Sequence, residues 1–426
     1  MGKSIINDVT ELLDAGVIDE DTARRIRAHY DGVEGGDSTN RQLIIYSVLG
    51  AILVGLGLLL VISHNWDGFT QMTRTLMVFA SLIAAQALCL FTLIRKPDSR
   101  AWRESTTVLL FLIVGGAIPL ISSIYQISGE TKDFLFVWLL IGLPLIFLMR
   151  SSLVSLISVG IIIYFHFSSS FSFTGYQVYY GWLFLSIVCV YYIHLIRNNP
   201  NGNFTILHHW LVPTVVLFML IQLYSEAPSI SIIGYGSAFS FLFLLGSMSE
   251  FHTQKFVENA WKLIGTLGTV ILLLIFSFYS NWENIDLTKI QVVREWIVTG
   301  VFFTGCLILI AKSNITLFTS DTFFQASFLV ITAAWFSALH EPIVAVILIN
   351  IYLLLLAIAI IREGVKEVHL GTVNFGLLIA IALIISRFFD VDLSFLTRGL
   401  LFIFIGIGFI VANIRMLKKK RNEVTE

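Results

Sequence analysis

From Leu43 almost to the C-terminus the chain is a succession of apolar stretches, each long enough to cross a bilayer. A helix rises about 1.5 Å per residue, so a hydrocarbon core of about 30 Å takes about 20 apolar residues. About fourteen such stretches follow one another, from Leu43–Ser63 to Leu400–Asn413. Lipid leaves only helices and closed barrels as spanning structures, because every backbone N–H and C=O must find its partner within the protein. Stretches of this length read as helices. The expected fold is all-α: a polytopic transmembrane helical bundle over residues 41–414, with a short N-terminal cytoplasmic helical hairpin.

Composition agrees. Of 426 residues, 57% are hydrophobic and 13% charged, about half the charged share of a soluble domain. The net charge of −1 gives no basis for nucleic-acid binding. Cys89, Cys189 and Cys306 lie inside separate apolar spans, so neither a disulfide framework nor a thiolate metal site is implied. The polar first forty residues have no basic-then-apolar signal peptide, and targeting is expected to rely on the first span.

Charge is distributed unevenly. If the spans alternate in direction, the side carrying both termini holds 21 of the 27 Lys and Arg, while Arg74, Lys132, Lys289, Arg294, Arg387 and Arg398 remain opposite. Cytoplasmic loops are the ones enriched in Lys and Arg, so both termini are expected in the cytoplasm. The basic tail, residues 415–426, reads as an anchor against anionic headgroups. Membrane lipids are therefore the expected partners.

Residues 1–30 read as two short helices. Ile6, Val9, Leu12 and Leu13 form one stripe, Gly16 suits a C-terminal stop, and Asp19 or Asp21 suits the cap of a second helix carrying Ala23, Ile26 and Tyr30. Two helices this short do not fold alone, so they are expected to dock on the membrane domain, a second copy or a protein partner. The Gly-rich segment 31–40 reads as a flexible linker.

The loops opposite the termini hold the candidate binding residues. His64, Asn65, Trp66 and Asp67 follow the first span, with Arg74 leading into the second. Trp282 and Glu283 follow the ninth, with Arg294 ahead of the tenth. Arg387 and Asp390 follow the thirteenth, with Arg398 ahead of the last. Each set puts an aromatic beside an acid at one span's end and an Arg at the next span's start. The plain explanation is an interfacial aromatic belt with acid–Arg pairs stapling loops. The functional one is a shared polar pocket, joined by Tyr125 and Gln126 on the same side. Within the spans the polar groups are uncharged, among them Gln86, His166, His194, Asn350 and Asn374. Asn350 and Asn374 are expected to hydrogen-bond neighbouring helices. Gly115-Gly116 and Pro119 mark a place for a kink.

No Walker loop, HExxH helix or GxSxG elbow is present, and His208-His209 has no partner at metal-ligand spacing. No cofactor or metal is called for, and the reading leans away from an enzyme.

Several segments resemble an uncharacterised family of bacterial multi-pass membrane proteins, domain of unknown function 2157. They are Leu12-Leu13-Asp14-Ala15-Gly16-Val17-Ile18, Asn65-Trp66-Asp67, Gly115-Gly116-Ala117-Ile118-Pro119 and Ile124-Tyr125-Gln126-Ile127-Ser128-Gly129. The likeness is concentrated in the first 165 or so residues. It implies a bacterial inner-membrane protein and carries no activity with it. Three functional readings follow in order: binding or transport of a small or lipid-like solute through an outer-face polar pocket, a scaffold or sensor acting through the head, and a membrane-embedded enzyme on a lipid-linked substrate using His64, Asp67, Glu283 or Asp390 as acid–base groups.

Overall fold

The computed structural model describes residues 15–64, 68–168, 177–224, 228–248, 259–283, 293–312 and 319–390, with positions 9, 12, 13, 403, 406 and 407. Its helices are α1 (Glu20–His64), α2 (Gln71–Arg95), α3 (Arg100–Tyr125), α4 (Thr131–Met149), α5 (Ser152–Ser168), α6 (Gln177–Asn198) and α7 (Asn203–Leu223). After them come α8 (Pro228–Gly246), α9 (Ala260–Ile275), the single turn α10 (Ser280–Glu283), α11 (Val293–Lys312), α12 (Ser320–Ala338), α13 (Pro342–Lys366) and α14 (Leu370–Asp390). The described residues form an all-α polytopic bundle. Nine of their helices have the length and apolarity to cross a membrane, and Gln42–Gly57, Ser152–Ser168 and Ala260–Ile275 are shorter apolar helices. The expected last span, Leu400–Asn413, and the basic tail lie outside the described residues.

The chain divides into two units, Met1–His194 and Leu195–Glu426. In the first, α3 is the central helix: α1, α2, α4 and α5 all pack on it, and α4 packs on α5. Gly115 lets α4 approach, since a Cβ there would sit 2.4 Å from the Trp138 ring. Trp138 lies on that glycine and its Nε1 donates to the Phe111 carbonyl (2.9 Å). The helix runs unbroken through Pro119, and Gly115 serves close packing. On the far side of α4, Phe136 meets Phe165, Tyr180 and Phe184 in a ring cluster.

The head follows the sequence closely at its turn. Gly16, at φ +68°, ends the first helical segment: its N–H bonds to Leu13 O, and Val17 N–H bonds to Leu12 O. This is the paired closure that a left-handed residue makes at a helix end. Asp19 caps α1 by accepting from Thr22 N–H (3.3 Å). Residues 31–40 depart from the expected linker, because α1 continues through them as one 45-residue helix. A break would create two new ends, each with four unsatisfied backbone groups, whereas continuing costs about 1 kcal/mol per glycine.

The second unit is built around α8, which packs on α9, α11 and α12, while α12, α13 and α14 follow as successive neighbours. Its core holds Trp282, Trp335, Phe243, Leu353 and Leu356. Helices α8 and α9 cross backbone to backbone: a Cβ on Gly265 would lie 2.5 Å from Phe243 N and 2.7 Å from Phe239 O. Helices α13 and α14 do the same at Gly364, where a Cβ would lie 2.7 Å from Val373 N.

Candidate functional site

Antiparallel succession brings the start of α2, the end of α3, the start of α4 and the end of α5 to one end of the first unit. Gln126, at φ 55°, closes α3, and its side-chain amide donates to Ser123 O (2.9 Å). The Tyr125 hydroxyl lies 3.2 Å from that of Thr75, and Gln71 Nε2 donates to Ile124 O (3.4 Å). Arg74 Nε donates to Phe69 O (3.0 Å). Tyr125 and Arg74 thus both lie at the junction of α2 and α3. Beside it, Lys132 Nζ pairs with Glu130 Oε2 at 2.8 Å. An open depression of about 430 Å³ is bounded there by Gly129, Glu130, Thr131, Lys132, Tyr164 and Ser168. Asn65, Trp66 and Asp67 lie outside the described residues, as does the side chain of His64.

The second unit gathers Trp282 and Arg387 at the C-terminal end of α9. The carbonyls there lack helical partners, and side chains supply them. Asn281 Nδ2 donates to Ile275 O (2.6 Å) and Trp282 Nε1 to Phe276 O (2.6 Å). Ser277 O accepts from Asn350 Nδ2 (3.1 Å) and from the Arg387 guanidinium (2.5 Å). Arg387 also lies over the Phe278 ring, 5.4 Å from its centroid. A cation at the negative end of a helix is favourably placed. Asn350 thereby joins its helix to the chain after α9, as expected. Trp282 does not sit in a lipid-facing belt: it is 1% exposed and stacks edge-on against Phe276. Its N–H finds a carbonyl inside the protein, so it needs no membrane interface. Glu283 is exposed. The side chains of Arg294 and Asp390, and all of Arg398, fall outside the described residues.

Three buried or half-buried acids lie just outside the expected spans and were not among the candidate residues. Glu104, 5% exposed, reaches from α3 to the start of α5, where its carboxylate accepts from Ser151 Oγ, Ser152 N (2.9 Å) and Leu153 N (3.1 Å). It caps a helix from outside that helix. Glu363 of α13 does likewise for α12, accepting from the N–H (3.0 Å) and hydroxyl of Ser320. Glu295 is fully buried one turn before Thr299, whose hydroxyl is 2.8 Å from that of Tyr224. The sequence signal was weak: each acid lies within a turn or so of a span end, where acids are ordinarily solvated. His166 of α5 is likewise buried.

These features define a membrane protein with several helices able to span the bilayer and polar clusters at the helix ends. Residues 10–155 match the model of a family described as "Predicted membrane protein (DUF2157)", the family the head and first spans resembled. The match covers about a third of the chain. No curated protein and no solved structure matches the chain.

Proposed function

We propose that this protein binds or transports a small or lipid-like solute, which it takes up at the depression between the starts and ends of α3, α4 and α5. The observation that supports this is the Lys132–Glu130 pair on the rim of an open recess, beside the exposed Tyr164 ring. A paired ammonium and carboxylate hold opposite charges ready for a polar group, and the ring offers an apolar face beside them. The excess of Lys and Arg on the other side supports a bacterial inner-membrane protein with both termini cytoplasmic and the depression outward.

Native mass spectrometry of the gently purified full chain tests the reading. A co-purifying lipid or solute is expected, and it should be lost in Lys132→Ala and Tyr164→Ala but kept in Lys312→Ala. A wild-type protein carrying nothing, or variants that all retain the molecule, would sink the proposal. The scaffold reading draws support from Leu12 and Val17, both exposed on the head. Loss of head cross-links in Val17→Ser with solute retention unchanged would favour it.

A further inference from the structure

The outward face of α2 carries a seam with heptad spacing. Its inward face, Val78, Ala85, Cys89 and Thr92, is buried. On the other side Met72, Leu76, Phe79, Ile83, Gln86 and Leu90 are all exposed, at alternating steps of four and three. That alternation is the 3.5-residue repeat that brings two helices together along a left-handed seam. One position in it is polar. Gln86 stands about 13 Å along the helix from Arg95 and about 22 Å from Gln71, at hydrocarbon depth. Exposed hydroxyls on other spans close on their own helix, Ser186 on Trp182 O and Thr304 on Gly300 O. No hydrogen bond engages the Gln86 amide among the described residues. An amide facing lipid without a partner is costly.

We propose that α2 pairs in parallel with α2 of a second copy of this chain, around a two-fold axis normal to the membrane, with the two Gln86 amides hydrogen-bonded to each other. The occupant is identified by chemistry. An amide both donates and accepts, so it is its own complement, and a two-fold interface sets each seam residue near its mate. A lone polar residue on an apolar seam fixes register in the same way that a buried Asn does in soluble coiled coils. Ala80, Ala84 and Ala87, also outward on α2, keep the backbones free to approach.

Photo-cross-linking in native membranes tests this. A benzophenone amino acid at position 83, on the seam, should give a product of doubled mass, whereas the same probe at position 91, on the same helix off the seam, should not. Gln86→Leu should lower the doubled product at least tenfold, and Gln86→Asn should largely keep it. A doubled product of equal yield from both positions, none from either, a link within one chain, or full yield from Gln86→Leu would each overturn the proposal.

Discussion

Both units set glycines against aromatic rings, and among the described residues the second adds glycines set against backbone, a contrast that shows where each resists change. In the first, Gly115 makes room for the Trp138 ring and Gly142 for the Phe111 ring. In the second, Gly268 and Gly305 also face rings, those of Phe239 and Phe241, but Gly265 and Gly364 make room for backbone atoms of a neighbouring helix. A ring can swing aside at modest cost, whereas a backbone can move only if its whole helix moves. Outside that difference the units share a device, a carboxylate from one helix capping another, through Glu104 and Glu363.

The comparison breaks most sharply at the crossing of α8 and α9. Gly265→Ala should cost about 3 kcal/mol or more, at the upper end of what overpacking does. It should leave little monodisperse protein on fluorescence-detected gel filtration, and a normal elution profile would refute the rigid crossing. Next comes Glu104→Ala, which strands two backbone N–H groups and a hydroxyl away from water. A loss of roughly 2–4 kcal/mol follows from the cost of buried unsatisfied groups. Glu363→Ala frees only the groups of Ser320 and should lose about half as much, so equal melting shifts for the two would erase the distinction. Gly115→Ala should lower stability by about 1–2 kcal/mol, and Trp138→Leu in the same chain should restore part of it by removing the ring. No restoration would mean that the ring is not the obstacle. The smallest effect is expected in the head. Gly16→Ala puts a Cβ on a left-handed residue at about 1 kcal/mol, seen as faster proteolysis near residue 16 with the membrane units unchanged.

Much of the architecture was legible because hydrocarbon imposes a length. The expected spans from Leu43–Ser63 to Gly371–Phe388 each overlie a helix, and the Gly16 stop and Asp19 cap appear as read. Such signals are local, carried by a few consecutive residues. Partners across the bundle are not local. Nothing in Glu104 announces Ser152, 48 residues on, and nothing in Arg387 announces the carbonyl of Ser277, 110 residues back. Backbone acceptors are the hardest to foresee, since every residue carries one. Of the candidate binding residues, Trp282 and Arg387 each bond a carbonyl at one helix end, and Tyr125 and Arg74 each lie at the junction of α2 and α3. Segment 31–40 misled because glycine content reports propensity, while the cost of two extra helix ends depends on the flanking sequence.

The unbroken α1 has a mechanical consequence. At 45 residues it is about 67 Å long, more than twice the thickness of the hydrocarbon layer. Its portion beyond the first span is therefore a lever arm of about 35 Å. If the buried part leans by ten degrees, the far tip swings through about 6 Å, from the helix rise alone. Any rearrangement within the bilayer would be magnified at the Asp19 end.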